Sequence, residues 1–108
     1  MYYDYLDLAE RLNETLPNRK GRSAKIFTWQ NRYETKKHGV TAAVIICKPE
    51  DENKLEWKDI ATDIEVDITK RKMKEAVIKA YGFICKKLNI NYKPFQIRLK
   101  NGRTITVS

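Results

Sequence analysis

Apolar residues at Tyr5, Leu8, Ala9, Leu12 and Leu16 recur at helical spacing, with Asp7, Glu10, Arg11 and Glu14 on the other side. Pro17 stops the pattern, so an amphipathic helix is expected over residues 3–16. A basic loop, Pro17-Asn18-Arg19-Lys20-Gly21-Arg22, follows it. From Ala24 to Tyr33 the chain is rich in Ile, Phe, Thr, Trp and Tyr, residue types that suit a pleated strand. Lys36-Lys37-His38-Gly39 reads as a turn, and Val40 to Cys47 is an unbroken apolar run of buried-strand length. After a second turn at Pro49–Asn53, Leu55 and Trp57 and then Ile64, Val66 and Ile68 at period two predict a third strand. Thr69 can cap a helix reaching Leu88, whose apolar stripe is Met73, Val77, Ala80, Ile84 and Leu88, widened by Ala76 and Tyr81. Phe95–Leu99 and Thr104–Val107 flank Asn101-Gly102, the signal of a hairpin with a type I′ turn.

This order predicts an α+β fold: α-β-β-β-α, the antiparallel sheet covered on one face by two helices, with a C-terminal β-hairpin added. At 108 residues a single domain is expected, with the hairpin extension over residues 94–108. A hydrophobic content of 42 % with only 4 Gly and 3 Pro supports a folded core rather than disorder. No apolar run reaches the roughly 18–20 residues that span a bilayer, and no secretory signal is visible behind Met1. A cytoplasmic protein without membrane attachment is the expectation.

Candidate chemistry is sparse. Cys47 and Cys85 both sit among apolar residues and read as buried free thiols. Two Cys and one His fall short of a four-ligand zinc site, and a single His supports no Ser-His-Asp arrangement. Gly-rich phosphate loops are absent, so no cofactor is expected.

Charge changes the picture more. The chain carries a formal +8, but the charge is segregated. Residues 1–17 are net −3, residues 18–38 net +6, residues 39–67 net −5 and residues 68–108 net +10. Two basic blocks that converge in space would form a face suited to a phosphate-rich partner.

The densest basic cluster is Thr69-Lys70-Arg71-Lys72-Met73-Lys74-Glu75-Ala76-Val77. Residues i and i+4 share a helix face, which groups Lys70 with Lys74, and the first turn of a helix favours an anion. This stretch resembles the opening of the second helix in the double-stranded-RNA-binding domain family, and the likeness extends over residues 2–88. It implies that Lys70, Arg71 and Lys74 meet phosphates across a major groove. It further implies that Asp7 and Arg11 on the first helix face a minor groove, and that the Lys36-Lys37-His38 turn enters a second one. Such spacing suits A-form RNA, which displays phosphates and 2′-hydroxyls and hides its base code. The function implied is non-catalytic, largely sequence-independent binding of double-stranded RNA.

Other readings compete. The fold could be a protein-interaction or self-association module without RNA, pairing through an exposed strand or the hairpin; the carboxylates at 63–67 favour it. Asp59, Asp63, Glu65 and Asp67 could instead hold Mg²⁺ for a nuclease assisted by Lys70, although the same alternation fits a solvent-facing strand that discourages edge pairing. Lys70, Arg71 and Lys74 could be only the solvated face of a helix, and His38 an ordinary surface histidine. Spacing assigns Phe27, Trp29, Trp57, Phe83 and Phe95 to the core. Only Trp29-Gln30-Asn31-Arg32-Tyr33 mixes aromatic and basic residues in the way a stacking platform would.

Overall fold

The computed structural model describes residues 4–19, 21–30, 38–46, 62–66 and 70–108. Their elements run α1 (Asp4–Thr15), β1 (Asn18–Arg19), β2 (Arg22–Gln30), β3 (His38–Ile46), β4 (Thr62–Val66), α2 (Lys70–Lys87), β5 (Phe95–Arg98) and β6 (Thr104–Val107). The α+β architecture is the one the hydrophobic pattern predicts, with a two-residue β1 added. Strands β1 to β4 form one antiparallel sheet in chain order, and β5 with β6 forms a separate hairpin.

Alternation along β2 and β3 sorts the side chains. Ala24 pairs with Val44 and Ile26 with Ala42, and all four are buried on the face that carries the helices. Leu8 and Leu12 of α1 and Met73, Val77, Ala80 and Ile84 of α2 close over them, all essentially inaccessible to water. The stripe predicted for the second helix is therefore the buried one.

Polar side chains join the elements where backbone groups need partners. The Asn13 amide on α1 donates to Ile26 O at 3.0 Å, while its Oδ1 accepts Ile26 N–H at 2.7 Å. Arg22 donates from Nη2 to Leu88 O at 2.8 Å, tying β2 to the last carbonyls of α2. Asn89 has φ 55° and ends α2 in the left-handed conformation, with Ile90 N donating to Cys85 O at 2.8 Å. Asn is one of the few residues that tolerates this position.

Three local expectations are corrected. His38 and Gly39, expected in a turn, are the first residues of β3, with backbone register partners Gln30 and Trp29. Gly39 permits that pairing because a Cβ there would stand 2.0 Å from Cζ2 of Trp29. At the hairpin, Leu99 N donates to Arg103 O and Gly102 N to Leu99 O, and Gly102 alone has positive φ in that loop. The connection is thus a three-residue loop with a glycine bulge rather than a type I′ turn, which would need Asn101 at positive φ as well. Phe27 is not in the core: it is 45 % exposed on the face of the sheet without helices.

Candidate nucleic-acid interface

The helix α2 begins at Lys70 and has no acidic residue in its first turn. Lys70 and Arg71 hold its first two positions; their side chains, that of His38, and Lys36 and Lys37 altogether lie outside the described residues. Behind that start, Lys72, Lys79 and Lys86 are exposed. Seven-residue spacing returns nearly to the same side of a helix, so these three form a line with steps of about 10 Å. Glu75 is the one carboxylate on the helix. Lys87 leans over the Phe83 ring, its Nζ 5.5 Å from the centroid.

Lys74 is placed differently from its neighbours. Its side chain is 28 % exposed, and Nζ lies 3.9 Å from Asp4 Oδ2 on α1. The expected pairing of Lys74 with Lys70 toward a ligand therefore competes with an ion pair inside the protein.

The first helix does not present the groove-facing pair that the family likeness implies. Asp7 is 3 % exposed, and its Oδ2 accepts the Lys100 backbone N–H at 2.7 Å. Arg11 Nε stands 3.3 Å from Asp7 Oδ1, but neither atom makes an aligned hydrogen bond, so the contact is an ion pair only. Beside it, Asp4 Oδ1 accepts from Asn101 Nδ2, and Asp4 Oδ2 accepts from Arg103 Nη1 at 3.3 Å. Glu10 and Lys100 approach to 4.0 Å, but both are well exposed and the pair adds little. Asp4, Asp7 and Glu10 thus make an acidic stripe on α1, and the basic hairpin loop Lys100–Arg103 occupies it. Asp7 is corrected from a ligand contact to the anchor of that loop, and Arg11 turns toward Asp7. Both halves of this contact are readable in the sequence as opposite charges, but they lie 93 residues apart and nothing local joins them.

The hairpin is also held by packing. Tyr81 of α2, Tyr92 and Phe95 meet edge to face with centroids 5.2 to 6.0 Å apart, and Leu99 and Val107 are buried. Next to this seam the free Cys85 is buried. Burial pushes its thiol pKa up, partly offset by a hydrogen bond with Tyr81, and burial likewise raises Tyr81 and Tyr92. A thiol so held stays protonated and is no nucleophile.

No cluster of three His, Cys, Asp or Glu that could hold a metal occurs among the described residues. Of the carboxylates considered for a nuclease, Asp63 and Glu65 lie in β4, and Asp59 and Asp67 fall outside the described residues. Among the described residues no helix is long and apolar enough to cross a membrane. Comparison with protein-family models, curated proteins and solved structures finds no match to this chain.

Proposed function

We propose that the protein binds double-stranded RNA without catalysis and with little sequence preference, through the cationic side of α2. The observation that carries this reading is the exposed line Lys72, Lys79 and Lys86 continuing from a first turn that holds Lys70 and Arg71 and no carboxylate. Phosphate contacts of this kind position a duplex and carry no base code. The helix start adds the favourable end of the dipole. The interface proposed here is α2, with α1 as its support rather than a second point of contact.

The test is titration of one RNA duplex, the matching DNA duplex and the separated strands at two salt concentrations. Affinity for duplex RNA should fall steeply with salt, because each neutralised phosphate releases counterions. Replacing Lys70, Arg71 and Lys74 together by Ala should weaken duplex binding at least about tenfold at moderate salt. Changing Lys72, Lys79 and Lys86 to Ala should weaken it comparably and flatten the salt dependence. Unchanged binding in both triple variants removes α2 as the interface.

One observation favours a second reading, a protein-interaction module. The hairpin loop covers the side of α1 that the family likeness assigns to a minor groove. A stable dimer that ignores RNA in light scattering and titration would decide for it.

A further inference from the structure

The face of the sheet opposite the helices carries its own arrangement. Lys25, Phe27 and Trp29 follow one another at every second position of β2, opposite Ala43, Thr41 and Gly39 of β3. Small partners on β3 let the rings settle over it. The Trp29 indole lies over Gly39, and its Nε1–H donates to Thr41 Oγ1 at 3.2 Å. Phe27 has no such cover: it is the one exposed large apolar side chain among the described residues. The Lys25 ammonium stands 5.0 Å from the centre of its ring.

We infer that this face holds an unpaired base of single-stranded RNA, stacked on Phe27, with the adjoining phosphate met by Lys25. Size decides between occupants. Among the described residues the exposed apolar surface of this face is a single ring beside a half-buried indole, well short of the about 800 Å² that a stable protein partner needs from each side. A base needs one aromatic face and a nearby cation, and both are present. The exposed cation beside the ring is Lys25, so the phosphate next to the stacked base belongs on the β2 side of this face. This site lies across the sheet from α2 and stands or falls independently of duplex binding.

Fluorescence anisotropy with a labelled oligouridylate of about ten nucleotides, within the usual site sizes, tests it. The full chain is compared with Phe27→Ala, Phe27→Leu and Phe27→Trp, and each is also titrated with the RNA duplex. The Ala and Leu variants should lose about tenfold or more in affinity for the oligouridylate, because stacking is lost in both. Phe27→Trp should retain it, and all three should keep the parent's behaviour toward the duplex and its thermal melt. Leu binding as tightly as Phe would overturn the stacking assignment. So would a parent that does not bind the oligouridylate, or one that is a dimer which Phe27→Ala splits into monomers. Binding of the oligouridylate with the expected Phe27 dependence but no duplex binding leaves this site standing and rejects the one on α2.

Discussion

Asp7 illustrates how a residue type can be legible while its task is not. A carboxylate in the first turn of a helix favours the dipole wherever it points. The family resemblance gives Asp7 a groove contact; in the fold, a backbone N–H from Lys100, far along the chain, makes it an internal anchor instead. Removing the carboxylate leaves that part-buried N–H without its acceptor and Arg11 without its counter-charge. Asp7→Ala should therefore cost about 1–3 kcal/mol in urea unfolding. Asp7→Asn keeps an acceptor oxygen and should cost less. Equal losses for the two would mean that the hydrogen bond to Lys100 contributes nothing. Phe27 carries the opposite lesson. It is expected in the core with the other large aromatics, but Ile26 takes the inward position of β2, and alternation sends Phe27 to water.

At the level of elements, amphipathic spacing was enough to find both helices and the buried run of β3, because burial of one stripe is a local demand on the sequence. Less legible was where each strand begins. His38 and Gly39 look like a turn because Gly usually marks one, yet Gly39 is selected by the ring that lies against it. The seam between α2 and the hairpin has a pH signature. Tyr81, Tyr92 and Cys85 are neutral when protonated, and burial raises all three above ordinary values of 10.0, 10.0 and 9.0. The folded state thus holds these protons more tightly than the unfolded chain. Its stabilisation is complete below the ordinary values and is lost as pH rises through the folded ones. Thermal melts should be level near neutrality and decline in alkali, and Tyr81→Phe should lessen the decline. A decline of the same size in that variant would place the sensitive groups elsewhere.

For the molecule as a whole, charge segregation was visible from the start, and its meaning was only half visible. The sequence shows an acidic first segment and a basic last one; the fold spends part of each on the other, through Asp4 with Arg103 and Lys74. Exposed cations are left on the outer side of α2 and, across the sheet, at Lys25. Which charges cancel depends on long-range packing, and no window of the chain contains that information. The hairpin is consequently part of the fold and not an appendage. Removing residues 94–108 would strip away Leu99, Val107 and Phe95 and expose the Tyr81 side of α2. The truncated chain should lose its cooperative melt in circular dichroism, whereas a detachable extension would leave the transition nearly unchanged.

The fork that Asn13 makes on Ile26 has a consequence for the sheet as a template. An open strand invites foreign chains to zip onto it, which is how native proteins begin to form fibres. Here a helical side chain already fills both bonding groups of Ile26, and the Pro17 carbonyl takes the Ala24 N–H just upstream. An incoming chain would have to evict Asn13 before it could lengthen the ladder along that stretch of β2. A single amide thus acts as a stopper against runaway polymerisation, at a place where a mutation to Ala would leave every apolar contact of the core untouched.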